Sequence, residues 1–228
     1  MKNSINFVIQ STFNYIIMDP LQEQLDALRD IRNMMDRSKK FDHISGKAGV
    51  LVGILSLIVV GTTYWLLKIS PITPHYYNYL YTESGNHNNL WWQLMGLYTI
   101  LLFFACFIGY QFAIKNTIQN GAGGFTTSLN QLLTSMLYPL IAGGAVCLVL
   151  LYHNQEAWLA PMSLIFYGLA MVQAGQYSFP SLINLGIALI ITGFFSALFL
   201  PYGLIGWAFG FGLLHIIFGS YIYYRYKS

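Results

Sequence analysis

Few residues in this chain have chemistry to offer, and the first is His215. It is the only readily ionisable side chain well inside an apolar segment, in PYGLIGWAFGFGLLHIIFGSYIY from Pro201 to Tyr223. A neutral imidazole buried there must satisfy both ring nitrogens or lose about 1–3 kcal/mol for each left unpaired. Counting helical rise places Tyr138, Tyr167, Gln173 and Asn184 within about one turn, 5.4 Å, of its level. The sequence therefore predicts a polar cluster of His215 with at least one of Tyr138, Tyr167 and Asn184. Such a cluster would lock packing, act as a proton-linked switch, or floor a small ligand pocket.

Other groupings carry less. Ser163 and His215 would fall on the fourth and sixth spans, the arrangement of an intramembrane hydrolase. Ser163 then lies about 9 Å below its span's outer end and His215 about 20 Å, too far apart for a nucleophile and its base. The GxSG context is also absent. His75, Glu83, His87, His153 and Glu156 share two predicted external connections. They could gather a metal ion, but their irregular spacing reads as ordinary solvated side chains, and no metal is expected. Cys106 and Cys147 lie in different apolar runs with no CxxC spacing, at depths differing by about 15 Å, so they read as unpaired. The loop KNTIQNGAGGFTTSLN, Lys115 to Asn130, is Gly-rich without the lysine and spacing of a phosphate-binding loop, and reads as a plain connector. No motif calls for a cofactor.

These side chains must be positioned by apolar segments. The chain of 228 residues is 56% hydrophobic, 17% aromatic and 8% charged, against roughly a quarter charged in a soluble domain. Charge is concentrated at the start, and beyond Lys47 only Lys68, Glu83, Lys115, Glu156, Arg225 and Lys227 remain. That distribution leaves no basic stripe for nucleic acid. Apolar runs predict six spans at 48–67, 90–114, 131–152, 157–174, 182–200 and 202–223, each close to the roughly 20 residues a bilayer core requires. The fold class is all-α: a polytopic bundle of six transmembrane helices in the lipid bilayer, at 47–228, preceded by an amphipathic helix.

On a helical wheel of the last span, Gly203, Gly206 and Gly210 share one face. Ala208, Gly212, His215 and Gly219 line roughly the opposite one. Small residues let a neighbouring backbone come close, so two such faces predict a helix sandwiched between neighbours. The fifth and sixth spans are joined at Leu200-Pro201-Tyr202-Gly203 as a tight antiparallel pair, and Pro139 with Gly143 and Gly144 predicts a bend in the third.

Residues 1–18 read as a tail, with Met18 an alternative initiator. Residues 19–46 read as a cytoplasmic helix and linker, opening at Asp19-Pro20 with an N-cap and an N1 proline. Leu21, Leu25, Leu28, Arg32 and Met35 follow 4-3-4-3 spacing. This stripe predicts contact with the membrane surface, with a cytoplasmic protein or with a second copy, through residues 19–42. An N-terminus inside the cell places every Lys and Arg except Lys68 on the cytoplasmic side. Trp65, Trp91, Trp92 and Trp158 then form the outer aromatic belt, and both termini are cytoplasmic, in the inner membrane.

The stretches LRDIRNMMDRSKKFDHISGKAGVLVGILSL, YPLIAGGAVCLVLL, LIFYGLAMVQAGQYS and GWAFGFGLLHIIFGSYIYYRY resemble a family of small six-span membrane proteins of Bacteroidota-type bacteria. The resemblance runs from about residue 25 to the end, omitting the external loop. It implies the six-span architecture and adds no activity. In function the sequence reads as a non-enzymatic membrane component, a sensor, scaffold or regulatory protein acting through its N-terminal helix. The alternative is a small transporter or channel for a neutral solute.

Overall fold

The structure is a computed structural model that describes residues 22, 24–31, 46–82, 87–119, 123–177 and 180–225. The chain divides into two units, residues 1–40 and 41–228. In the first, residues 24–31 are helical and exposed, with Asp26 and Arg29 paired at 3.3 Å one turn apart. Leu25, Leu28 and Ile31 are all exposed to solvent on this helix. The expected tail, the Asp19-Pro20 cap, Leu21 and Met35 lie outside the described residues.

The second unit is an all-α bundle with six helices long and apolar enough to cross a membrane. They begin with α1 (Gly46–Leu67). There follow α2 (Asn89–Gln119), α3 (Gly123–Tyr152), α4 (Leu159–Tyr177) and α5 (Pro180–Leu198). The last span joins α6 (Gly203–Trp207), a π-helical stretch (Ala208–Leu214) and α7 (His215–Arg225). Helices are what such apolar runs must form, because every backbone group finds its partner within the segment. Hydroxyls inside them do the same: Ser56, Thr63 and Thr192 donate to the carbonyls of Val52, Val59 and Ala188, four residues back, at 2.8–2.9 Å.

One expectation changes. The connector predicted at 115–130 is largely helical, since α2 runs to Gln119 and α3 starts at Gly123. Hydropathy marks where the apolar stretch ends, not where the backbone stops hydrogen-bonding to itself. α3 stays helical through Pro139, as membrane helices tolerate.

The core lies between α4, α5 and the last span: Leu164, Met171, Leu185, Leu189 and Leu214 pack together. A smaller cluster of Leu67, Leu80 and Leu94 fixes the α1–α2 connection on the ends of both helices. Outward-facing side chains of α2 and α3 are also apolar, among them Phe103, Phe104, Leu137, Ile141 and Leu148. In water such a surface would be a liability; against lipid it is the expected solution.

Candidate functional site

The last span is held by backbone-level contact on both sides. A methyl group built on Gly219 would stand 2.6 Å from the Gly46 carbonyl oxygen and 2.8 Å from the Val50 nitrogen. One built on Gly53 would stand 2.8 Å from the Gly212 carbonyl oxygen. On the other side, Gly206 meets Ser196 of α5 at 2.8 Å, Gly210 lies against Leu164 of α4, and Gly203 lies 3.5 Å from Ala160 by the same measure. The span therefore has α1 on one face and α4 with α5 on the other.

His215 sits in this sandwich, 4% exposed. Its Nδ1 is 3.0 Å from the Gly210 carbonyl. A carbonyl only accepts, so Nδ1–H is the donor and Nε2 carries the lone pair of the neutral ring. The Tyr167 hydroxyl, 3.3 Å from Nε2, donates to it. Both ring nitrogens are thus satisfied. Phe211 stacks on the imidazole at 5.8 Å and 16°, and Tyr167 packs against Phe211 at 5.0 Å.

The ring does not sit where the ideal wheel puts it, on the Gly212–Gly219 face. It points to α4, the side faced by Gly210. An i→i+5 turn advances fewer degrees per residue than an α turn, so the π stretch ending at Leu214 swings His215 away from Gly212. Tyr138 is 72% exposed on the outside of α3, and Gln173 and Asn184 are also exposed; the recorded partners of His215 are Tyr167 and Gly210. Depth counting finds residues at one level but cannot say which face of a helix they occupy. Ser163 donates to the Ala160 carbonyl of its own helix at 2.9 Å.

A second polar cluster lies at the end where the α1–α2, α3–α4 and α5–α6 connections meet. Glu156 opens the short turn before α4 and is only 3% exposed. Tyr81 O–H donates to its Oε2, and His87 Nε2–H to its Oε1 at 2.7 Å. The His87 ring lies between those of Tyr81 and Trp91, at 4.9 and 4.4 Å. Burial first, then the bond to Glu156, pushes the Tyr81 phenol well above its ordinary range, so it remains a donor. These residues are not the solvated side chains the spacing suggested. Among the described residues no three His, Cys, Asp or Glu gather as a metal site. His75 goes elsewhere, its Nδ1 lying 2.7 Å from the Tyr77 hydroxyl.

Helix ends build this second cluster. Lys68 and Asn154, with φ of 54° and 55°, close α1 and α3 in the same way. Ile69 N–H reaches back to the Tyr64 carbonyl at 3.2 Å and Gln155 N–H to that of Leu150 at 2.8 Å, the six-to-one bond of a Schellman cap. The second cap delivers Glu156 directly beneath the α1–α2 connection. Its legible signal in the sequence is the set of three histidines and two carboxylates, His75, Glu83, His87, His153 and Glu156, on one predicted surface.

Fold and site together define a polytopic all-α membrane protein with a neutral His–Tyr pair in its core and a buried carboxylate fastened at one end. No family model, curated protein or solved structure matches the chain.

Proposed function

We propose that this is a non-enzymatic component of the inner membrane, a sensor, scaffold or regulatory protein that engages another protein through its N-terminal helix. The observation that carries the reading is the exposed row of Leu25, Leu28 and Ile31 on a helix otherwise rich in charge. Three large apolar side chains one turn apart are a short recognition stripe of the helix-in-groove kind. The distribution of Lys and Arg favours a cytoplasmic side for this helix and the C-terminus.

The test is a pull-down from native membranes with the full chain and with a Leu25→Asp, Leu28→Asp variant. Loss of a bound protein, or of the native oligomer, in a variant that still inserts is the expected outcome. An unchanged partner set and oligomer overturns the reading and leaves the helix as a bilayer-surface element.

A further inference from the structure

A partly open cavity of about 440 Å³ lies at the end of α1, lined among the described residues by Tyr64, Trp65, Leu66, Lys68 and Ile69. These residues straddle the point where the apolar span stops, at Leu67. The cavity therefore sits at the level where acyl chains give way to headgroups. Leu66 and Ile69 pack against the small core of Leu67, Leu80 and Leu94, which fixes one wall. Trp65 is 76% exposed, and Lys68 is exposed as well.

The lining is uneven in its chemistry. Leu66 and Ile69 suit an acyl chain, whereas a phenol and an indole offer hydrogen-bond donors at the boundary where such amphipathic rings settle. Lys68 is the one Lys or Arg in the sequence between Lys47 and Lys115. No carboxylate stands among the described lining residues. A zwitterionic headgroup would bring a cation that no described lining residue complements. A net negative headgroup meets an ammonium and neutral donors.

Lys68 also occupies a place that suits lysine poorly. It closes α1 in the left-handed region, with φ of 54°, where glycine or asparagine crowds the following carbonyl less. Asn154 fills the equivalent position on α3. The Lys68 N–H reaches the Trp65 carbonyl at 3.2 Å, so the cap holds the lysine's backbone against the tryptophan at the cavity's edge.

We propose that this cavity binds one anionic phospholipid. Its phosphate pairs with the Lys68 ammonium, with the Tyr64 hydroxyl and the Trp65 indole as further donors, and an acyl chain lies against Leu66 and Ile69. The site is independent of the N-terminal helix and of whatever protein that helix meets.

The experiment is native mass spectrometry of the full chain in a neutral detergent, titrated with phosphatidylglycerol or with phosphatidylcholine. The first equivalent of phosphatidylglycerol should bind about fivefold more tightly than phosphatidylcholine, the advantage one lysine gives near a charged headgroup. Lys68→Asn and Lys68→Gly both suit the left-handed cap and lose the charge, so the preference should vanish in each. Lys68→Arg should restore it. Equal affinity of the unmodified chain for the two lipids overturns the proposal, as does a preference that survives in either neutral variant. Displacement of the lipid by excess glycerol 3-phosphate assigns the site to a soluble phosphate and overturns it too.

Discussion

Tyr167 and His215 show how one hydroxyl can decide the state of a buried ring. With Nδ1–H committed to the Gly210 carbonyl, Nε2 has the Tyr167 hydroxyl as its partner among the described residues. Tyr167→Phe leaves that nitrogen unpaired in an apolar interior and should lower stability by about 1–3 kcal/mol, read as an earlier thermal transition in detergent or nanodiscs. Among substitutions of the histidine, Gln keeps a donor and an acceptor, whereas Leu keeps neither and leaves both the Gly210 carbonyl and the Tyr167 hydroxyl to be satisfied elsewhere. His215→Gln should therefore be the milder of the two in the same assay. A folded His215→Gln protein that loses cellular function would assign the ring a role beyond packing. Equal thermal transitions for His215→Leu and the unmodified protein would show that the ring's bonds add nothing.

Helix packing here is written in glycines seven residues apart. Gly46 and Gly53 on α1 face Gly219 and Gly212 on the last span, and Gly168 on α4 meets Gly186 on α5. A methyl on Gly186 would stand 2.6 Å from the Gly168 carbonyl, while Gly175 and Gly193 carry each seam one heptad further against Ile183 and Ile165. A seven-residue repeat returns to the same face along a gently left-handed crossing, which suits antiparallel helices packed this closely. At Gly46, Gly186 and Gly219 the first obstacle is neighbouring backbone, which cannot rotate away, whereas at Gly212 it is the Leu57 side chain. Gly219→Leu should therefore part α1 from α7 and cost about 1–3 kcal/mol or more by overpacking. Gly144→Ala, where nothing lies within 4 Å, should be close to neutral. Similar melting temperatures for the two variants would remove the seams from any account of stability.

At the scale of the molecule, the six spans alternate in direction: the bonds from His75 N–H to the Pro201 carbonyl and from His87 to Glu156 hold the α1–α2, α3–α4 and α5–α6 connections at one end. Which end faces the cytoplasm is a question of charge. If the basic asymmetry sets it, the α1–α2 connection is external and Ser228 internal. In a background with Cys106 and Cys147 changed to Ser, an impermeant thiol reagent applied to intact cells should label Ser70→Cys and leave Ser228→Cys unmodified until the cells are opened. Labelling of Ser228→Cys in intact cells would reverse the orientation.

By itself, the sequence determined the class of fold and the segments that span. Both follow from the cost of bringing unpaired backbone or charge into lipid, which acts on each stretch of chain regardless of its neighbours. Close approach along the last span was legible for the same reason: a glycine lacks a side chain wherever its partner turns out to be. The α4–α5 seam is equally legible in the seven-residue spacing of Gly168 with Gly175 and of Gly186 with Gly193. Pairwise geometry was not legible. Tyr138, Tyr167, Gln173 and Asn184 were equivalent by depth, and only the rotation of each helix about its axis left Tyr167 facing inward. That rotation depends on side-chain packing across helices, and for His215 also on a π turn whose added residue leaves no trace in hydropathy. By sequence alone Glu156 reads as a surface group, because its burial is decided by Tyr81 and His87, 75 and 69 residues earlier in the chain. Folding alone brings Tyr81 and His87 to it, where their two hydrogen bonds replace the water its carboxylate gives up.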